Sequence, residues 1–350
     1  MELRKEELIY QMGELSILVR PIADQSAIDL LKRTVYGTVG VRYQQTGQQE
    51  KVSHLQKPFY FHLYQHQQLI GLYCLDERVI PLVSGHVPGF YGRYLAIDDS
   101  QKGNGYGQLL KREAVSYIEL QVTGPVLFYS YIEEKNTRSL AISQGQSFQS
   151  VAALRTFIVR RHSPSVDSRF ERLDPSELST LLALLNDAYR GYRFKTFAHI
   201  GYQSNYFVLK EGHEIVAGIQ ANPVCWRFNQ MPGVGGWVTM HLLPLISLTR
   251  RYFDPAHYRF LVPEGLYLKP GREELLGVLL ESTLAHFGLH SMLFQVDQKA
   301  ALTGLLARRE SGVLSRFQPV TTQVMVKARG IPSEQLPANS PVYVSSFDFS

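Results

Sequence analysis

The sequence predicts an α/β (α+β) protein made of two halves with one plan, and three observations carry that expectation. Short β-rich runs alternate with helical periods along the chain. The order strand, helix, hairpin, strand, long helix, strand, helix, strand occurs twice, as a repeat of architecture rather than of sequence. At 350 residues, with 45% hydrophobic and 19% charged, the chain has material for two cores.

In the first half, residues 16–22 read as a strand and 24–32 as a helix with Asp24 at its N-cap. Residues 37–57 are polar and Gln-rich, hence loop. Two β-rich runs, 59–65 and 69–76, flank His66, Gln67 and Gln68 as a hairpin. A strand over 90–97 leads into a helix over 105–120, where Leu109, Leu110, Ala114, Val115 and Ile118 keep a helical period. A strand (126–132), a helix (136–144) and a strand (151–159) complete the half. Residues 162–168, rich in Ser with one Pro, break every period and mark the boundary.

The plan then restarts: a strand at 170–173, a helix at 175–189 opened by Pro175, and a hairpin of 206–210 with 215–220. A strand (261–268), a strongly periodic helix (273–287), a strand (292–296), a helix (298–309) and a strand (320–327) follow. Residues 229–257 are an insertion with Gly, Pro and one apolar helical stretch. The expected domains are 1–162 and 169–330, with a tail at 331–350.

Composition narrows the function classes. No run reaches the roughly 18 apolar residues of a membrane helix, and the N-terminus shows no apolar signal core. Cys74 and Cys225 stand far apart and read as buried hydrophobes in a reducing compartment, so the cytoplasm is expected. The net charge of +5 is mild for this length. The basic runs at 155–161 and at Arg250 and Arg251 are short, which argues against nucleic acid as a partner. A modest positive field suits an anionic small ligand. The eleven histidines are scattered without metal-ligand spacing, so no metal is expected, and no G-x-S-x-G elbow points to a hydrolase.

The strongest local feature is a strand, Leu95, Ala96 and Ile97, running into Lys102, Gly103, Asn104, Gly105, Tyr106 and Gly107, which open a helix. The glycines let backbone N–H groups approach a ligand. The first N–H groups of the helix have no intrahelical partner, and the helix dipole favours an anion there. Lys102 adds a positive charge. On residue types alone the loop stays open between a phosphate site and a tight turn. A dinucleotide fingerprint fails because Gln108 stands where its third Gly belongs, and a P-loop's G-K-[ST] is absent.

The segment resembles the acyl-CoA loop of the GNAT N-acetyltransferase superfamily, [Q/R]-x-x-G-x-[G/A], with Lys102 in the first position. Downstream, Asn136, Thr137, Arg138, Ser139, Leu140, Ala141 and Ile142 followed by Phe148 resemble the family's second motif. The resemblance covers about residues 15–160. It implies two GNAT-like domains, each a mixed sheet flanked by helices, and an acyl group moved from acetyl-CoA or another acyl-CoA to a small-molecule or peptide amine. Backbone groups of Leu95, Ala96 and Ile97 would take the pantetheine, residues 102–107 the pyrophosphate, and Asn136 the pantetheine arm.

The chain departs from the family at two positions. Ser143 stands where many members carry a Tyr that protonates the thiolate, and Ser147 where a Gly is usual. The acid and base are therefore open between Tyr94, Tyr131 and Glu133. The second half's equivalent loop keeps Gly271 but places Glu273 and Glu274 at the helix start, where they would repel a pyrophosphate. That half is expected to be degenerate and to shape the acceptor pocket, with Trp226, Trp237 and His241 in or beside a possible lid. Alternatives are a non-catalytic CoA-binding protein and an aminoacyl-tRNA-dependent transferase. A monomer and a homodimer are both compatible with two fused halves.

Overall fold

A computed structural model describes residues 5–37, 40–250, 252–308 and 320–348. Two positions named above, Arg251 in a basic run and residue 309 at a helix end, lie outside the described residues. The first part of the chain forms β1 (Glu7–Met12), β2 (Leu15–Arg20), α1 (Gln25–Arg33), β3 (Arg42–Gln45), α2 (Gln48–Ser53), β4 (Pro58–Gln65), β5 (Gln68–Leu82), β6 (Gly85–Ile97), α3 (Tyr106–Gln121), β7 (Val126–Glu133) and α4 (Thr137–Gln144). Then come β8 (Gln149–Arg160), β9 (Phe170–Arg172), α5 (Leu178–Ala188), β10 (Tyr206–Glu211), β11 (Glu214–Gln230), α6 (Gly233–His241), α7 (Ser247–Arg250), β12 (Tyr258–Leu268), α8 (Leu275–Phe287), β13 (Ser291–Asp297), α9 (Ala301–Ala307) and β14 (Thr321–Arg329).

The chain divides into two compact units. Unit 1 is Met1–Val151, Arg227–Leu242 and Gln323–Leu336; unit 2 is Ala152–Trp226, Leu243–Thr322 and Pro337–Ser350. In unit 1 the strand order is β1-β2-β4-β5-β6-β7-β14. Pairing is antiparallel from β1 to β6 and parallel between β6 and β7. Side chains alternate between faces along a strand. One face carries Phe59, Phe61, Tyr73, Leu75, Phe90 and Phe128 and packs on Leu110, Ala114, Val115 and Ile118 of α3.

The other face is polar, yet buried: Tyr60, Cys74, Asp76, Arg78, Tyr91, Arg93 and Tyr129. Helices α1 and α2 lie on this side. Tyr64 donates to Asp24, the α1 N-cap, at 3.4 Å, and Tyr60 to Val52 O of α2 at 3.2 Å. Asp24 caps α1 by accepting from Ala27 N at 2.9 Å, as the sequence suggested.

Unit 2 has the order β8-β13-β12-β11-β10-β9. Helix α8 packs Leu275, Leu276, Leu279 and Leu280 on one face with Leu261, Met292 and Phe157. Helix α5 packs Leu181 and Leu185 on the other with Tyr206, Val208 and Ile215.

The mixed α/β plan in two halves is the one expected, and the differences are local. β5 and β6 form one long hairpin, although the charges of Asp76, Glu77 and Arg78 made the run look finished at residue 76. Asp76 and Arg78 instead stay buried in the ladder because Arg78 Nε and Nη2 donate to Asp76 Oδ2 at 3.0 and 2.8 Å. β1 was hidden by its charged, exposed surroundings; it is held as an edge strand by its ladder with β2. The loop over 37–57 contains β3 and α2.

Candidate functional site

Strands β6 and β7 pair only at Gly89–Leu127, Phe90–Phe128 and Tyr91–Tyr129. Beyond Tyr91 and Tyr129 the ladder ends. β6 is also bulged against β5: Leu72 faces Ala96 but Cys74 faces Arg93, so one extra residue is taken up between them. Tyr94 sits in that bulge with a left-handed φ of 58°, a conformation that costs a bulky residue energy and clusters at functional sites. Leu95, Ala96 and Ile97 follow. Ala96 and Ile97 pair with β5 on one side, which leaves the β7 side of this backbone outside any ladder among the described residues. An extended, amide-bearing ligand is the natural partner for such an edge. Ser130, the first residue past the last β7 pair, has a buried hydroxyl with no hydrogen-bond partner.

The loop that follows β6 gathers the features that an anion site needs. Asp98 caps a short turn by accepting from Ser100 N at 3.1 Å. Gly103 and Gly105 have φ of 96° and 78°, and a Cβ built at either meets nothing within 4 Å. The left-handed conformation therefore calls for glycine, while the space before both residues is open. Gly105 is the N-cap of α3 and offers no side-chain cap, so the amide groups at the helix start keep their donor capacity. A Cβ at Gly107 would lie 3.7 Å from both Ile97 Cγ1 and Ile142 Cδ1. The end of β6, the start of α3 and helix α4 converge there. Lys102 is half-exposed and pairs with Asp99; the Asn104 amide bonds Gln101 at 3.4 Å. A donor set of backbone amides and one ammonium fits a pyrophosphate, and the unpaired strand edge fits a pantetheine arm.

Asn136 caps α4, its Oδ1 accepting from Ser139 N at 3.1 Å. Ser143 is fully buried. Lys111 of α3 donates to its hydroxyl at 2.6 Å, and the hydroxyl donates to Ser139 O at 2.9 Å. The Lys111 amine also lies 4.1 Å from the centre of the Phe148 ring, and burial pulls its pKa down to about 7. The Ser143 hydroxyl is thus spent on a buried lysine. Ser147 adopts a φ of 65°, a left-handed conformation that glycine takes most readily.

The three acid–base candidates all lie past the last β6–β7 pair. Tyr94 accepts a hydrogen bond from Arg93 Nη2 at 2.8 Å, with the guanidinium 4.3 Å from its ring centre. Burial pushes the Tyr94 phenol up to about 12, against the pull of Arg93. The Tyr131 ring packs 5.1 Å from Tyr91 and 6.0 Å from Tyr129. Burial raises the Glu133 carboxyl above its ordinary range, with Lys135 opposing.

Several residues here escaped the sequence reading. Tyr36 and Tyr43 exchange backbone hydrogen bonds at 2.8 and 3.1 Å and stack at 5.9 Å. Tyr43 also meets Phe228 at 6.4 Å, and Asn229 bonds Gln44 at 3.3 Å. Parts of the two variable segments, 37–57 and 229–257, therefore meet within unit 1. The only sequence signal for this polar layer was the alternation of aromatic and charged residues along β4 to β7, which reads equally as a solvated face.

The corresponding place in unit 2 is built differently. β12 and β13 share a single parallel pair, Leu261–Met292. The C-terminal tail is stitched to both strands: Val342 N donates to Asp297 of β13 at 2.8 Å, and Ser346 N to Glu264 of β12 at 3.1 Å. Asn222 bonds the Ser346 hydroxyl at 2.9 Å, and Phe347 stacks on His199 at 3.9 Å. In the loop before α8, Arg272 is taken up by Glu211 at 2.6 and 2.8 Å and by Glu274 at 2.6 Å. Among the described residues, no group of three or more His, Cys, Asp or Glu could hold a metal, and no helix is long and apolar enough to cross a membrane.

No protein-family model and no curated protein matches the sequence. Solved structures do resemble the chain. N-myristoyltransferase from Saccharomyces cerevisiae with bound myristoyl-CoA superposes with a TM-score of 0.62 at 8% identity, covering 97% of this chain and 91% of that one. A GCN5-related N-acetyltransferase from Anabaena variabilis gives 0.52 at 10% identity, over 89% and 72%. Another from Kribbella flavida gives 0.50 at 11%, over 91% and 73%. At such identities the likeness is one of fold, and the chain has the fold of the GNAT superfamily in its two-domain form.

Proposed function

We propose that the protein is an acyl-CoA-dependent N-acyltransferase that uses unit 1 to hold the donor and transfers an acetyl or short acyl group to an amine. The observation that carries this reading is the joint one at the end of β6: a strand edge that has parted from β7, just past a bulge against β5, leads directly into an uncapped, glycine-lined helix start. Solved structures with the same fold include one holding myristoyl-CoA and others named as N-acetyltransferases, which supports the donor class.

The acyl thioester supplies an activated carbonyl. The edge of Leu95, Ala96 and Ile97 binds the pantetheine, residues 102–107 bind the pyrophosphate, and Asn136 sits at the start of α4 beside the arm. Glu133, raised by burial, takes the proton that an alkylammonium must lose before it attacks. The C–N bond forms as the C–S bond breaks, and the departing sulfur needs a proton. Tyr94 provides it. Arg93 donates to its oxygen and so stabilises the phenolate that remains. Tyr131 relays or orients at the same opening.

Calorimetry with acetyl-, octanoyl- and myristoyl-CoA, followed by CoA release across an amine panel, tests the proposal. Binding of a short acyl-CoA and turnover reduced about 10²- to 10⁴-fold in Glu133→Gln support it. No acyl-CoA binding by the wild type sinks it. Preference for myristoyl-CoA overturns the chain length alone, and tight binding without any turnover favours a non-catalytic CoA-binding protein, the reading that Ser143 suggests.

A further inference from the structure

Helix α4 carries Asn136 at its start, yet it has little apolar surface with which to hold its place. Of its 8 residues only Ser143 is buried. Leu140 packs at the margin of the core, and Ile142 reaches toward Gly107 of α3. The polar attachments converge on Ser143. Its hydroxyl accepts from the Lys111 amine of α3 at 2.6 Å and donates to Ser139 O at 2.9 Å. Its carbonyl accepts from the amides of Gln146 and Phe148 at 3.0 and 3.1 Å. Gln146 Nε2 in turn donates to Gln108 O, in the first turn of α3, at 3.3 Å. Ser139 completes the path, its amide donating to Asn136 Oδ1 at 3.1 Å. One line of hydrogen bonds therefore runs from Lys111 through Ser143 and Ser139 to Asn136.

Lys111 is a costly residue for this place. Its side chain is 2% exposed, and a hydroxyl and an aromatic ring are the partners of its amine. An apolar side chain of similar size would fill the same space with less desolvation. Sequences break local rules of this kind chiefly at functional sites. Lys111 also stands one helical turn beyond Gly107, on the face of α3 that meets α4. We propose that Lys111 is a positioning residue of the donor site: through Ser143 its amine fixes α4 against α3, so that Asn136 stands at the pantetheine arm. The inference rests on the acyl-transfer reading for what Asn136 meets. Without the amine, α4 loses its buried polar tie, and a displacement of about 1 Å in a positioning element is worth up to ~10²-fold.

The test separates donor affinity from stability, which a lysine that only supports the fold would move together. Lys111→Met, Ser143→Ala and the double variant of the full-length protein are compared with wild type by calorimetry with acetyl- and octanoyl-CoA, by thermal melting and by CoA release with the amine panel. Lys111→Met should melt at or above the wild-type temperature and yet bind acyl-CoA about 10- to 10²-fold more weakly. KM for acyl-CoA should rise by the same factor with kcat little changed, the mark of lost binding rather than lost chemistry. The double variant should bind no more weakly than the weaker single one, because both changes remove one contact. Adding Lys111→Met to Asn136→Ala should likewise change little. Unaltered acyl-CoA affinity in Lys111→Met overturns the proposal, and so do additive losses in the double variant or a loss of affinity that only follows a loss of stability. No acyl-CoA binding by the wild type sinks the acyl-transfer reading and this inference with it. Binding without turnover sinks the transfer step alone, and the affinities of the variants then decide the tie.

Discussion

Two regions of one fold, the parting of β6 and β7 in unit 1 and of β12 and β13 in unit 2, solve the same structural problem in opposite ways. In each unit two parallel strands stop pairing partway along their length. Unit 2 closes the opening with its own chain, using the amides of Val342 and Ser346 against Asp297 and Glu264. Unit 1 lines its opening with a strained Tyr94, an orphan Ser130 hydroxyl and glycines with open space before them. A polar opening inside a fold must be satisfied. Unit 2 meets much of that demand with its own tail; under the proposed function, unit 1 meets it with the acyl-CoA.

The sharpest way to break this contrast is a matched pair of glycine changes. Gly105 and Gly271 share a left-handed φ, 78° and 79°, and both face open space. Asp at either is strained by that φ. At Gly105 it also places a carboxylate where the pyrophosphate is expected, so acyl-CoA binding should weaken 100-fold or more in Gly105→Asp. In Gly271→Asp it should change less than about 2-fold, with a comparable loss of stability in both. Calorimetry and thermal melting on the two variants check this. Equal losses of binding would mean that general strain, not the anion site, is being read.

The tail is the second place to press. Phe347 is buried and stacked on His199, with Tyr202 edge-on at 5.5 Å. Phe347→Ala should cost about 3–5 kcal/mol of unfolding free energy by cavity formation, read from denaturant midpoints. The affinity for acyl-CoA should hold. A variant of normal stability would show that the tail decorates unit 2 rather than closing it.

Which of these features the sequence shows follows from how local they are. The glycine loop, its strand and the Asn136 cap are contiguous, and each residue acts through its own backbone or its near neighbours. The tail is the opposite case. Residues 331–350 have no period, two prolines soon after their start and mostly small polar side chains, so they read as a loose end. Their role comes from partners 45, 82 and 124 residues away in sequence. Arg93 and Lys51 were missed for a related reason. A charged residue in an alternating strand or a short helix is usually solvated, yet Arg93 is buried beside Tyr91 and Tyr94 and Lys51 is half-buried. Ser143 was read as a vacancy in a catalytic role, while its actual partner, Lys111, looked like the polar side of an amphipathic helix.

That lysine sets up the last test, a comparison of α3 with α8. Helix α8 buries neutral hydroxyls that find backbone partners, Thr283 donating to Leu279 O at 2.6 Å and Ser282 accepting from Asp167 N at 2.9 Å. Helix α3 buries an amine with a hydroxyl and a phenyl ring for company. Replacing such a group by an apolar residue of similar size is neutral or stabilising by about 1–4 kcal/mol, so Lys111→Met should raise unfolding stability. The pH dependence gives the sign. The amine's folded pKa, about 7, lies below its value of 10.5 when unfolded, so between those values the unfolded chain binds more protons and wild-type stability climbs with pH. The advantage of Lys111→Met is then widest below pH 7 and closes toward pH 10.5. Denaturant unfolding at pH 6, 8 and 10 measures it, and an advantage that does not vary with pH would mean the amine is solvated and α3 is no different from α8.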